Sequence, residues 1–114
     1  IFANGDQMTS VFNNLIKNAI QAMPSDRKAF IDIMLTKNTD YVNITITDNG
    51  NGIPAEIQEK IFKPNFTTKS TGMGLGLAIV KNIILEHNGD ISFTTKEGEY
   101  TTFTINLPIN KSNA

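Results

Sequence analysis

The sequence predicts an α+β domain built as a two-layer sandwich, in which helices cover one face of a mixed, mostly antiparallel sheet. Two long segments repeat apolar residues at helical spacing, four short segments have strand character, and polar or glycine-rich turns separate them. The predicted order is helix, two strands, short helix, irregular segment, helix and two strands. Two layers packed around one core accommodate that order.

Helices are predicted over residues 6–23, 54–62 and 74–87 from their apolar spacing and from the residues at their ends. The first helix stops before Pro24, and the third ends at Asn88-Gly89, which suits a C-terminal cap. The proline that opens the short helix fits a first helical turn.

Strands are predicted over residues 29–36, 41–47, 90–96 and 101–107. In the second strand, apolar and polar residues alternate, which predicts one buried and one exposed face. Residues 64–73 are predicted to be irregular.

Composition restricts the function. The chain has 114 residues, 39% of them hydrophobic, which is enough for one modest core. A net charge of -1 provides no basic field for nucleic acid, and the lack of cysteine excludes disulfides and thiolate metal sites. No apolar run approaches the length of a membrane span, so no membrane contact is expected from this fragment. The start at Ile1, without an initiator Met or a signal pattern, indicates a cut inside a longer protein.

Asn14 and Asn18 lie one turn apart on the first predicted helix and therefore project from the same side. Two half-buried amides on a rigid helix suit a hydrated Mg²⁺ ion, which prefers oxygen ligands and keeps several waters. The alternative is a pair of ordinary boundary amides bonded to backbone or solvent.

Asp48 stands where a half-buried strand meets the glycine-rich turn 49–52. A carboxylate there could accept a hydrogen bond from an exocyclic amine such as that of adenine, while glycines let a flat ring approach the backbone. The alternative is a plain turn. A calcium loop is excluded because its third and fifth positions would be Gly50 and Gly52, which have no side-chain oxygen.

The glycine-rich segment 72–77 opens the last predicted helix, where free N–H groups and the helix dipole favour phosphate. It matches neither a P-loop nor a dinucleotide fingerprint. Upstream, Thr67, Thr68 and Lys69 offer hydroxyls and a positive charge to phosphates. The alternative for these residues is a flexible solvated loop.

Four segments together resemble the catalytic domain of sensor histidine kinases, with a nitrogen-regulatory character. Residues 14–19 resemble the N-box, 48–54 the first glycine box, 61–69 the phenylalanine box and 72–80 the second glycine box. They occur in the family's order and spacing, and the resemblance covers residues 6–108.

The resemblance implies the Bergerat ATP-binding fold, shared with gyrase, the mismatch-repair MutL protein and the 90-kilodalton heat-shock chaperone. It implies an ATP-binding catalytic domain over residues 1–109. The tail over 110–114 is predicted to be loose from the sequence itself. This domain would transfer the γ-phosphoryl group of ATP, with Mg²⁺, to a histidine on dimerisation helices of the same protein, for signalling to a response regulator. The implied location is the cytoplasm, where ATP is available.

The resemblance also implies a role for individual residues. Magnesium would be held by Asn18 with help from Asn14, and the adenine amine by Asp48, in a pocket shaped by Gly50, Gly52 and Ile53 and supported by Thr101. Residues 64–73 would form an ATP lid anchored by Phe62 and Phe66, with Thr68 and Lys69 near the phosphates. The phosphate chain would be bound by Gly72, Gly74, Leu75, Gly76 and Leu77.

Two positions bear on the reaction. Family members that hydrolyse ATP carry a glutamate general base where this chain has Asn14, whose amide cannot take a proton, so direct hydrolysis is disfavoured. His87, the single histidine, ends the last predicted helix and is expected to complement its dipole rather than to accept phosphate. An anti-sigma-factor-type serine kinase and a non-catalytic nucleotide-binding module remain as alternatives.

Overall fold

The computed structural model describes residues 5–21, 23–63 and 77–109. The elements in chain order are α1 (Gly5–Gln21), β1 (Ile31–Lys37), β2 (Tyr41–Asp48), a 3-10 helix (Ala55–Lys60), α2 (Leu77–Glu86), β3 (Asp90–Lys96) and β4 (Tyr100–Pro108). This order agrees with the one predicted from the sequence, and the α+β class is confirmed.

The four strands form one sheet in the order β1-β2-β4-β3. All three pairings among the described residues are antiparallel, so the mixed character expected from the sequence is not seen in this part of the chain. Helix α1 packs against α2 and β2, and α2 packs against β3, which places both helices on one face of the sheet.

The alternation predicted for β2 is present, and β4 repeats it. In β2 every second residue from Val42 to Asp48 is buried, and in β4 every second residue from Thr101 to Leu107 is buried. The register pairs the ends of these rows, Val42 with Leu107 and Asp48 with Thr101. Each buried row is therefore apolar along most of its length and polar at one shared end.

The core fills the space between this face and the two helices. Its fully buried side chains of largest volume come from both layers: Leu15, Ile46, Ile53, Leu77, Ile84, Ile105, Leu107, Val11 and Val80. Burial of this apolar surface is the main favourable term in folding. Strand β1 differs, because Ile33, Met34 and Leu35 are each more than half exposed.

The element ends differ slightly from the sequence prediction. Helix α1 ends at Gln21, and the predicted short helix is of the 3-10 type, beginning after Pro54. Helix α2 ends in a left-handed residue as expected, but Asn88 takes the positive φ of 62°, while Gly89 N–H donates to the Ile84 carbonyl at 2.9 Å. The predicted start of this helix at residues 74–76 lies outside the described residues.

No helix in the described ranges has the length and the apolar character that crossing a bilayer requires.

Truncation of α2 side chains should separate buried from exposed positions. Ile84→Ala removes a side chain with 0% exposure and should lower the free energy of unfolding by about 2–5 kcal/mol, because it leaves a cavity. Ile79→Ala, on the same helix but 53% exposed, should cost less than about 1 kcal/mol. Urea denaturation of both variants tests this, and equal losses would contradict the packing described.

Candidate functional site

Three polar side chains are buried within the described part of the chain: Asn18, Asp48 and Thr101, with exposures of 5%, 4% and 4%. All three line one narrow cavity with a volume of about 10 Å³. The remaining walls come from Ala19, Gly52, Ile53 and Phe103. Burying polar groups is costly unless they form hydrogen bonds. A cluster of them beside an apolar core therefore indicates a functional site rather than ordinary core packing.

The fold accounts for this convergence. Asp48 ends the buried row of β2, Thr101 begins the buried row of β4, and the two residues are register partners. Asn18 lies on α1 three residues after the buried Leu15 and is therefore on the helix face that covers the sheet. Helix and strand periodicity thus bring residues far apart in sequence to one point.

Asp48 presents a carboxylate to this cavity. One of its oxygens, Oδ1, accepts a hydrogen bond from the Gly50 N–H at 2.9 Å. Burial raises the pKa of Asp48 above its ordinary range, and the bond from Gly50 opposes this rise in part. Ionising this carboxyl group therefore costs free energy, which a hydrogen-bond donor entering the cavity would offset.

The turn that follows Asp48 is fixed from outside by Arg27. Its guanidinium donates to the carbonyls of Asn49 at 2.8 Å, Gly50 at 3.5 Å and Gly98 at 2.9 Å. The Asn49 side chain in turn accepts from the Phe30 N–H at 2.8 Å. The sequence interpretation missed Arg27, since no motif marks a single arginine in a loop.

Gly52 lets this turn approach the β3–β4 hairpin. It has a positive φ of 72°, and an added Cβ would lie 2.6 Å from the Lys96 carbonyl oxygen and 2.8 Å from the Glu97 Cα. The Gly98 N–H donates to the Asn51 carbonyl at 2.6 Å across the same gap. Both the backbone conformation and the close approach require glycine at position 52.

A pair of hydroxyls joins the cavity to β3. The Oγ1 atoms of Thr95 and Thr101 are 3.0 Å apart, and the Ile53 N–H donates to Thr95 Oγ1 at 3.0 Å. The sequence interpretation did not single out Thr95. The period of two that places Ile91, Phe93 and Thr95 on the same face of β3 was the signal that could have found it.

Phe62 does not line the cavity but supports one of its walls. Its ring lies 6.4 Å from that of Phe103, in an edge-to-face arrangement, and 6.0 Å from that of Phe93. The Lys81 ammonium lies 5.2 Å from the centroid of the Phe62 ring, within cation–π range. Phe62 thus anchors the chain just before the segment expected to act as a lid.

Asn14 lies one turn before Asn18 and is half-buried, but it does not line the cavity. Its Nδ2 donates to the Ser10 carbonyl at 2.9 Å. Because the amide nitrogen is bonded in this way, the carbonyl oxygen is the atom that Asn14 has to offer a hydrated ion.

Gly50 is buried and bonds to Asp48, and Leu77 opens α2 with its side chain in the core. The other expected site residues lie outside the described residues: Phe66, Thr68, Lys69, Gly72, Gly74, Leu75 and Gly76.

His87 lies just past the end of α2, with its ring Nδ1 2.8 Å from the Ile83 carbonyl oxygen. That separation requires a proton on Nδ1, because a carbonyl oxygen can only accept. A ring bonded to the last turn of a helix fits the predicted role in complementing the helix C-terminus.

A larger cavity, of about 480 Å³, lies at the opposite end of the sheet, beside the β1–β2 hairpin. Its lining includes Asn43, Asp90 and Asn106, which occupy neighbouring register positions on the polar face. None of the residues expected to form the site lines it, so size alone does not identify the functional cavity.

Alanine at two glycines should distinguish close approach from backbone strain. Gly98 has a φ of 83° with no atom near an added Cβ, so Gly98→Ala should cost only the strain of about 1–2 kcal/mol. Gly52→Ala adds overlap with backbone atoms and should cost clearly more in thermal or urea unfolding. If Gly52→Ala were no worse than Gly98→Ala, the turn and hairpin would not be packed as described.

Comparison with known proteins places the chain in one family. Residues 3–111 match the family described as histidine kinase-, DNA gyrase B-, and HSP90-like ATPase. The sensor histidine kinase ZraS of Escherichia coli strain K12 is 44% identical over 110 residues, covering 96% of this chain but 23% of ZraS. Sporulation kinase A of Bacillus subtilis is 41% identical over 110 residues, covering 95% of this chain and 18% of that kinase.

Solved structures agree with this placement. The catalytic domain of histidine kinase ThkA superposes with a TM-score of 0.80 at 36% identity, covering 93% of this chain and 69% of that one. The mycobacterial sensor histidine kinase MprB superposes with a TM-score of 0.76 at 26% identity, covering 95% and 76% of the two chains. The chain therefore belongs to the histidine kinase-, DNA gyrase B- and HSP90-like ATPase family, with the fold of a histidine kinase catalytic domain.

Proposed function

We propose that residues 1–109 form a domain that binds Mg²⁺–ATP at the cavity between α1 and the polar end of the sheet. Within a longer sensor kinase, the domain transfers the γ-phosphoryl group to a histidine on dimerisation helices of the same protein. The observation that carries the proposal is that Asn18, Asp48 and Thr101, the buried polar side chains of the described ranges, line one cavity. The match to an ATPase family over residues 3–111 supports it.

Adenine recognition is assigned to Asp48 and the turn after it. A buried carboxylate accepts strongly from an exocyclic amine, because water does not compete inside the cavity. Ile53 and Phe103 supply apolar walls for the ring, and Gly52 keeps the backbone free of a side chain. A cavity of about 10 Å³ has room for about one water molecule, so purine binding requires these walls to separate.

The amide of Asn18 is the proposed magnesium ligand. Magnesium accepts a single side-chain oxygen together with phosphate oxygens and waters, and Asn18 lines the cavity. The carbonyl oxygen of Asn14, one turn earlier, would accept from a metal-bound water. When bound, the ion neutralises charge on the phosphates and orients them.

The phosphate chain is assigned to the second glycine box. We propose contacts from Thr68, Lys69 and the backbone of 72–76, ending at Leu77, where α2 begins. The N–H groups at the start of a helix are not bonded within it and bind anions.

Phosphoryl transfer rather than hydrolysis follows from the absence of a base at position 14. An asparagine amide cannot take a proton from water, whereas an imidazole nucleophile needs little help beyond positioning and charge neutralisation. The chain spans about a quarter or less of ZraS and sporulation kinase A. The dimerisation helices, a response regulator and a cytoplasmic setting are accordingly proposed for the longer protein.

Label transfer tests the reaction. The 114-residue chain is incubated with γ-labelled ATP, Mg²⁺ and a separately produced helical hairpin carrying the phosphoacceptor histidine, with the His→Ala hairpin as a control. Label should appear on the histidine hairpin and not on its control. Release of inorganic phosphate by the chain alone, with no transfer, would instead indicate a hydrolase.

The same assay tests Asn18. Asn18→Ala should lower Mg²⁺-dependent transfer by about tenfold or more. Mutating a residue that only supports a metal ligand already costs about 10–100-fold in metal affinity or activity, and Asn18 is proposed as the ligand itself. Asn13→Ala, at an exposed position of α1, is the matched control and should transfer normally. Equal activity in the two variants would remove Asn18 from the site.

Asp48→Asn should separate binding from stability. The amide keeps the bond from Gly50 but turns a donor toward the adenine amine, so ATP affinity should fall by about tenfold or more. Since ionising a carboxyl with a raised pKa costs free energy, the unliganded variant should be as stable as the wild type, or more so, at neutral pH. Calorimetric titration and thermal melts measure the two effects, and a large loss of stability would contradict this role.

The raised pKa of Asp48 predicts how folding stability and ATP affinity each change with pH. The folded-state pKa of Asp48 is raised, so its ionisation costs stability once the pH rises above the unfolded value and through the folded one. ATP affinity should run the opposite way, falling on acidification as the carboxylate protonates at a higher pH than an ordinary aspartate. The Asp48→Asn variant should lack this dependence.

A further inference from the structure

Thr95, which the proposed function does not use, has a hydroxyl with three neighbours. Thr95 Oγ1 donates to the Tyr100 carbonyl at 2.8 Å and accepts from the Ile53 N–H at 3.0 Å. It lies 3.0 Å from Oγ1 of Thr101, where either hydroxyl could be the donor from geometry alone.

Proton counting decides that direction. A hydroxyl has one proton and two lone pairs, and a carbonyl oxygen can only accept. The single proton of Thr95 is therefore committed to Tyr100, and one of its lone pairs to Ile53. The bond between the two threonines must then be donated by Thr101 to Thr95.

The direction of this bond fixes what the cavity offers to a ligand. Because the Thr101 proton points to Thr95, the remaining lone pairs of Thr101 are what its hydroxyl can present to the cavity that it lines. The Asp48 carboxylate is likewise an acceptor, with Oδ1 already bonded to Gly50. The Thr101 hydroxyl and the Asp48 carboxylate therefore both present hydrogen-bond acceptors to the cavity.

We propose that Thr95 is a positioning residue that makes the cavity select 6-aminopurines over 6-oxopurines, by holding the Thr101 hydroxyl as an acceptor. The inference rests on the proposed function, because it concerns the base of the nucleotide bound there. At position 6 an exocyclic amine supplies two N–H donors, whereas a 6-oxo group places a third acceptor against Asp48 and Thr101 and leaves the neighbouring N1–H as the donor on that edge of the base. Without Thr95, the Thr101 hydroxyl could rotate and donate to the oxo group.

Base preference is the readout. Kd is measured for Mg²⁺–ATP and Mg²⁺–ITP, which differ at purine position 6 and in the proton at N1, using the 114-residue chain. Wild type should prefer ATP, and Thr95→Val should reduce the ITP-to-ATP ratio of Kd by about tenfold, as for one hydrogen bond in a buried site. Thr95→Ser, which keeps the hydroxyl, should retain the wild-type ratio.

Variants of Thr101 and a matched control at Thr102 distinguish this positioning role from a purely structural one. Thr101→Val removes the acceptor without touching Thr95 and should reduce the ratio similarly, and adding Thr95→Val to it should change the ratio no further. Thr102→Val breaks an equivalent hydroxyl pair, with Thr47 at 2.9 Å on the opposite face of the sheet, and should leave the ratio unchanged.

Each outcome bears on the inference. The inference would be overturned if Thr95→Val weakened the binding of ATP and ITP equally, or if Thr101→Val left the ratio unchanged. It would also be overturned if Thr95→Val changed the ratio as much in the Thr101→Val variant as in the wild type. A wild type that binds ATP without preference over ITP would also overturn it, while the proposed function would stand. Failure of the wild type to bind either nucleotide would overturn both.

Discussion

The antiparallel register between β2 and β4 is the constraint on which the rest of the site depends. It places Asp48 opposite Thr101 at the end of two rows that are otherwise apolar, and β3 adds Thr95 as the partner of Thr101. A shift of one residue would turn each row to the other face and bring threonines and asparagines under the helices. The pairing that builds the core therefore also forms the polar end of the two rows, against which Asn18 packs.

At this polar end of the sheet, the requirements of folding stability and of ligand binding oppose each other. The apolar part of each row contributes to folding, whereas the buried carboxylate of Asp48 is ionised only at a cost, as its raised pKa shows. Arg27 links the adjoining turn to the β3–β4 hairpin, and Gly52 allows the two to approach closely. A donor from a ligand offsets the cost only when it is bound, which is how a binding site differs from a packed core.

Much of this arrangement follows from patterns visible in the sequence. Helical spacing and strand alternation predict both long helices and all four strands in their order along the chain, and the resemblance to the kinase family implies Asn18, Asp48 and Thr101 as site residues. Arg27 was missed because its hydrogen bonds reach residues as far as 71 positions away, which no local pattern specifies. The period of two in β3 does place Thr95 on the same face as Ile91 and Phe93, but its partner Thr101 is identified only by the register of the sheet. The exposure of Ile33 and Leu35 was also not predictable, because strand propensity does not show which edge of a sheet is covered.

A crystal structure of this chain with Mg²⁺ and a non-hydrolysable ATP analogue would show directly whether adenine binds at Asp48. We expect the adenine amine within about 3 Å of the Asp48 carboxylate, with Ile53 and Phe103 against the ring. We also expect the metal at Asn18. A nucleotide seated in the larger cavity beside the β1–β2 hairpin, or an adenine ring with no contact to Asp48, would contradict this expectation.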